Sequence, residues 1–328
     1  MTAASLDHAI AEPRLKNFPV SFFSIVMGLA GLTLATQRLQ HTVGGNPLVP
    51  LTLLGLTILA FIIIAVLYAV KAARYPQAVA WEWNHPVRIS FFPAISISLI
   101  LIGTAMAKAA PGSMAVTIWA VGTGLHLIGT LAVVSAWIGH RSFEAIHINP
   151  AWFIPAVGNI LVPVAGVGFG FAEVSWFFFS VGLLFWLVLL TLVFNRLIFH
   201  NPLPAKLVPT LVILIAPPAV GFIAYFQFHG VIDPFSRVLY NASILFFLII
   251  AAQLPRLGRL PYALSWWAYS FPVAAFTIAT LLYADMTRSA FHRGAGVALY
   301  GLLICVIALL VAKTVQAMRH GEICVHEG

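Results

Sequence analysis

Apolar residues run for about 20 positions at a time along most of the chain, and short polar segments separate the runs. A run of that length crosses a hydrocarbon core of about 30 Å as a helix. The pattern predicts ten helices, at approximately 17–36, 48–70, 89–107, 113–138, 151–172, 174–195, 207–227, 238–254, 262–283 and 294–316. The runs are continuously apolar and do not alternate, which argues against a closed barrel, the other architecture that lipid tolerates. The expected fold is therefore an all-α polytopic membrane protein, with a tail at 1–16, a membrane domain at 17–316 and a second tail at 317–328.

Composition agrees. The 328 residues are 61% hydrophobic and 8% charged, where a soluble domain carries about one-quarter charged residues. The first 16 residues contain Asp7, Glu12, Arg14 and Lys16 and no apolar core, so they read as a cytoplasmic tail rather than a signal. Cys305 lies in the last span and Cys324 in the polar tail, which offers no disulfide framework.

The basic residues set the direction. With the N-terminus inside, the cytoplasmic side holds Arg14, Lys16, Lys71, Arg74, Arg88, Arg141, Arg196, Lys206, Arg256, Arg259, Lys313 and Arg319. The outer side holds only Arg38, Lys108, Arg237, Arg288 and Arg293. Positive-inside bias then places both termini in the cytoplasm. This asymmetry accounts for the basic balance, so net charge +8 is no argument for nucleic-acid binding.

The odd spans share a feature that the even spans lack. Each carries a proline in its inner half or middle: Pro19, Pro93, Pro155, Pro217 and Pro272, at spacings of 74, 62, 62 and 55 residues. Proline removes a backbone donor, and membrane helices keep it where the freed carbonyl finds another partner or lines a cavity. Repetition at the length of a helical hairpin suggests five hairpins, with bent odd helices as an inner ring and even helices outside. Solid packing of the same helices without a pore also fits the pattern. Gly28, Gly31, Gly158, Gly166, Gly168 and Gly170 in the odd spans suit close packing or pore lining equally.

The membrane interior is chemically plain. No Asp or Glu falls at mid-span, which argues against carboxylate-based proton or sodium coupling and against an acidic cation filter. The core lacks lysine and arginine too. The polar candidates in odd spans are Ser24, Ser96, Ser98 and Asn159. His126 stands alone at depth and reads as a packing residue, with no partner for a metal or haem. No cofactor is expected, and no nucleophile elbow, CxxC or phosphate loop suggests an enzyme. The segment from Lys71 to Arg88 mixes basic and aromatic residues and reads as an interfacial belt.

Several stretches carry a family resemblance: "HPVR" at 85–88, "PAWFIPAV" at 150–157, "APP" at 216–218 and "WWAYSFP" at 266–272. In this order across ten spans, the chain resembles the tellurite-resistance/dicarboxylate transporter family. That family includes bacterial TehA proteins, plant guard-cell slow anion channels and fungal malate and sulfite transporters. The resemblance implies a ring of five hairpins around a central pore, a homotrimer in the inner membrane, and conduction of chloride or nitrate. It also implies a phenylalanine gate at mid-membrane, which falls on Phe271. Ser24 stands where a pore-facing glycine is usual, and the third-span proline lies one turn early.

The leading expectation is a passive anion channel closed by Phe271. Pro19, Ser24, Pro93, Ser96, Pro155, Asn159, Pro217 and Pro272 are then the candidate pore-lining or helix-kinking residues. The main rival is a carrier exporting C4-dicarboxylate, sulfite or tellurium oxyanions, against which the uncharged core weighs. A structural membrane protein without transport is the third possibility.

Overall fold

The computed structural model describes residues 14–139 and 143–325. Arg141, Asp7, Glu12 and Glu327 lie outside the described residues. Among the described residues, ten apolar helical segments follow in order: α1 (Val20–Val43), α2 (Leu48–Arg74), α3 (Arg88–Ala109), α4 (Ser113–Ile138), α5 (Pro150–Gly166), α6 (Ala172–Phe199), α7 (Val208–His229), α8 (Pro234–Ala252), α9 (Leu264–Thr287) and α10 (Ala290–His320). Among the described residues, nine of these are long and apolar enough to span a bilayer as conventional helices. The protein is a multi-pass, all-helical membrane protein.

The fifth segment departs from expectation. Instead of a continuous span at 151–172, a helical run ends at Gly166 and turns connect it to α6. It alternates two 3-10 pieces, Pro150–Trp152 and Gly158–Leu161, with two α pieces, Phe153–Val157 and Pro163–Gly166. Pro155 and Pro163 each withdraw a backbone donor, so an unbroken α ladder cannot form. A 3-10 turn rises about 2.0 Å per residue against about 1.5 Å for α, so the run reaches roughly 29 Å despite its few residues.

All five odd segments show the same device. Each begins as a 3-10 helix and becomes α-helical near its proline: at Phe23 in α1, Ala94 in α3, Phe153 in α5, Ala216 in α7 and Ser270 in α9. The hydrogen bonds explain why. Pro93 cannot serve the Ile89 carbonyl, which instead accepts from the Phe92 N–H at 3.3 Å. In α7 the Ile213 carbonyl, out of reach of Pro217, accepts from the Ala216 N–H. At these two prolines the tighter bonding of a 3-10 turn thus covers the missing donor.

Odd and even segments differ sharply in burial. The apolar windows of α1, α3, α7 and α9 are 72–83% buried, whereas those of the even segments are 22–33% buried. Each odd segment packs on the even one that follows it. The odd segments also touch one another in cyclic order, α1 to α3, α3 to α5, α5 to α7, α7 to α9 and α9 back to α1. The exposed Leu, Ile, Val and Phe faces of the even segments are suited to lipid, in which apolar surface costs nothing.

Side chains of α4 clamp the broken fifth segment. Trp119 donates its indole N–H to the Val162 carbonyl at 3.1 Å. Thr130 donates to the Pro155 carbonyl at 2.7 Å and accepts from Asn159 at 3.0 Å. These donors tie carbonyls of the irregular segment to α4, in addition to its own backbone bonds such as Gly166 N–H to the Val162 carbonyl.

Candidate functional site

Two small cavities lie inside the inner group of segments, each of about 50 Å3. The first is lined by residues toward the C-terminal ends, including Ile97, Val157, Leu161, Pro217 and Val220. The second lies toward the N-terminal ends, against Ser21, Ser24, Phe91, Ser265, Trp267 and Pro272. Met27, Ile154, Ile213, Ala216 and Phe271 line both cavities and therefore stand between them. No residue lining either cavity is charged.

Phe271 is half-buried at the second position of the α-helical part of α9, directly before Pro272. Its ring lies over Gly31 of α1. A Cβ built on Gly31 would come within 3.4 Å of the Phe271 ring and 2.9 Å of the Ala274 Cβ. Glycine at this position lets α1 and α9 approach until the phenylalanine rests on bare backbone.

The other candidate residues divide. Ser24, Pro217 and Pro272 line a cavity with Phe271. Ser24 donates its hydroxyl to the Ser21 carbonyl at 2.5 Å. Pro19, Pro93, Pro155, Ser96 and Asn159 line neither cavity. Ser96 is buried and faces α4, bonded to the Pro93 carbonyl at 2.8 Å and to Nδ1 of His126 at 2.9 Å. Asn159 is buried and bonds Thr130 and the Ala156 carbonyl. His126 has no exposed surface, and its Nε2 points at the Gly158 backbone, where a Cβ would be 2.8 Å away. These polar groups fasten α3, α4 and α5 together behind the cavity wall.

Charges sit beyond the two ends. On the N-terminal side of the odd segments, the expected interfacial belt contains a short helix, Pro76–Asn84, with Glu82 only 1% exposed. Its carboxylate accepts from Lys71 at 2.6 Å, Tyr68 at 3.0 Å and the Val20 N–H at 3.1 Å, and lies 3.3 Å from Arg88. Lys71 also donates to the Phe18 carbonyl at 2.8 Å. Lys71 and Arg196, read from sequence as solvated inner-side charges, are both buried at 1% exposure. At the opposite end, Arg38 of α1 pairs with Asp285 of α9 at 2.5 Å, and Thr42 donates to the same carboxylate at 2.9 Å.

Sequence reasoning missed Met27, Ile154, Ile213 and Ala216. A signal was present for two of them: Ile154 and Ala216 immediately precede Pro155 and Pro217, as Phe271 precedes Pro272.

Comparison with known proteins bears on this arrangement. The family model described as SLAC1, voltage-dependent anion channel, matches residues 17–315. The chain belongs to this family. Its relatives are anion channels and transporters rather than enzymes. The chain is 25% identical to the S-type anion channel SLAH2 of Arabidopsis thaliana, over 93% of this chain and 60% of the plant protein. It is 27% identical to the tellurite resistance protein TehA homolog of Haemophilus influenzae, over 93% and 92% of the two chains. It is 26% identical to an uncharacterized transporter of Methanocaldococcus jannaschii, over 94% and 97%. The chain thus spans about three-fifths of SLAH2 and nearly all of the two prokaryotic relatives.

Proposed function

We propose that this SLAC1-family member is a passive channel for small monovalent anions such as chloride and nitrate, with a central path in each protomer closed by Phe271. The observation that carries the reading is the position of Phe271 between two uncharged cavities inside the inner group of segments. Along such a path an anion meets backbone, a few hydroxyls and aromatic edges, and no cation holds it. Weak binding of this kind suits conduction. A large apolar ring at the narrowest level blocks by volume and by excluding water.

The bacterial inner membrane, cytoplasmic termini and a homotrimer with one path per protomer complete the proposal. The positive-inside bias and the family resemblance support them. A carrier for divalent oxyanions needs strong donors or cations at substrate depth, and the cavity linings supply none. The test is anion current through reconstituted protein. Phe271→Ala is expected to raise chloride and nitrate currents strongly over wild type, with ohmic behaviour. Unchanged current in Phe271→Ala would overturn the gate, and saturable counterflow would favour a carrier.

A further inference from the structure

Phe271 does not stand alone between the cavities. Met27 from α1, Ile154 from α5, Ile213 and Ala216 from α7, and Phe271 from α9 each border both spaces. Four inner segments therefore contribute an apolar side chain at one level. Three of the five residues occupy the position before a proline, where the backbone leaves or enters the α-helical part.

We infer that these five residues form a hydrophobic collar, which holds the path shut by excluding water even where the phenylalanine ring leaves room. This rests on the channel reading above and identifies further gating residues within it. The chemistry around the collar is uneven. On one side, Ser21, Ser24 and Ser265 border the cavity, and the buried Ser265 hydroxyl has no hydrogen-bond partner. On the other side every lining residue is apolar. A water molecule occupies about 30 Å3 in the liquid and needs two to four polar partners to persist in a cavity. A cavity of about 50 Å3 has room for a water but, on the apolar side, no side chain to hold one. An anion crossing the collar must therefore shed its water against hydrocarbon. The cost of wetting this level sets the closed state together with the volume of the ring.

Volume and wetting are separated by substitutions at two positions. Ile213→Val and Ile213→Thr remove nearly the same volume, and only the second adds a hydroxyl. Ala216→Ser adds a hydroxyl while slightly increasing volume. Chloride and nitrate flux into liposomes should rise roughly tenfold in Ile213→Thr over Ile213→Val, the scale on which one hydroxyl changes transfer into an apolar setting. Flux should also rise in Ala216→Ser, although the path is narrower. Wild type and Phe271→Ala are measured beside them, and size-exclusion profiles verify assembly. Equal flux in the Thr and Val variants, with reduced flux in Ala216→Ser, would overturn the collar. If Phe271→Ala still conducts in that case, the channel reading stands without it. If the hydroxyl variants conduct and Phe271→Ala does not, the collar stands and Phe271 is not the gate. Silence in all of them overturns both.

Discussion

Glu82→Gln tests the least visible feature of the fold, the buried ion cluster on the N-terminal side of the odd segments. The substitution preserves shape and removes one charge. In the native structure the carboxylate is 1% exposed and receives Lys71, Tyr68 and the Val20 N–H, all within 3.1 Å. The Lys71 side chain is 2% exposed, donates to the Glu82 carboxylate and the Phe18 carbonyl, and lies over the Tyr68 ring. With glutamine, the ammonium keeps its charge in a dry site without a counter-charge, and one carboxylate acceptor becomes an amide donor. Removing one partner of a buried pair costs about 3–5 kcal/mol. At 1.36 kcal/mol per tenfold, that lowers the folded-to-unfolded ratio by roughly two to four powers of ten. The assay is unfolding in mixed detergent micelles followed by tryptophan fluorescence. Lys71→Met added to Glu82→Gln should recover a large part of the loss, because the stranded charge is then gone. Arg88→Gln alone should cost less than Glu82→Gln, because the Arg88 side chain is 18% exposed against 1% for Glu82 and its contact is longer, 3.3 Å. A Glu82→Gln loss below about 1 kcal/mol, or no recovery in the double variant, would refute the argument that this pair is an electrostatic unit.

Gly31→Ala should destabilise by about 1–3 kcal/mol, because its Cβ would meet Ala274 at 2.9 Å with no flexible group to yield. The same unfolding assay should find no loss in Gly55→Ala, where nothing lies within 4 Å. Displacing Phe271 from its seat on α1, Gly31→Ala should also raise anion leak in liposomes, and the increase should vanish in a Phe271→Ala background. Thr130→Val keeps the shape of the α4 clamp and removes the donor to the Pro155 carbonyl. It should cost about 1–3 kcal/mol, and hydrogen exchange should rise first in 153–166. Thr314→Val should loosen the start of α9, since Tyr262 and Trp267 lose their shared partner, both bonded to its hydroxyl within 3.0 Å. Faster exchange at 264–270 is the expected readout.

Much of the architecture was legible because the membrane permits so few solutions. Ten apolar runs predict ten membrane segments, and the proline spacing points to five hairpins with distinct odd members. Burial separates odd from even segments along that line. The prolines themselves were read as kinks, but the structure uses them as junctions between 3-10 and α geometry, a distinction of hydrogen bonding that residue type alone does not reveal. Glu82, Lys71 and Arg196 looked like ordinary surface charges, because a charged residue near a span end carries no mark of its eventual burial.

The placement of side chains around a segment lay beyond the chain's own pattern. Ser96 and Asn159 sit on inner segments, yet both turn toward α4, because His126 and Thr130 offer partners there and the cavity offers none. Met27 and Ile213 are indistinguishable in sequence from dozens of other apolar residues. They join Phe271 only because four segments, each entering through a 3-10 turn, bring those side chains to a common level. Sequence determined what could cross the bilayer and where the backbone had to change its bonding. Packing determined which residues meet, since helix rotation depends on contacts between segments far apart in the chain, such as Gly31 with Phe271, and not on the composition of either one.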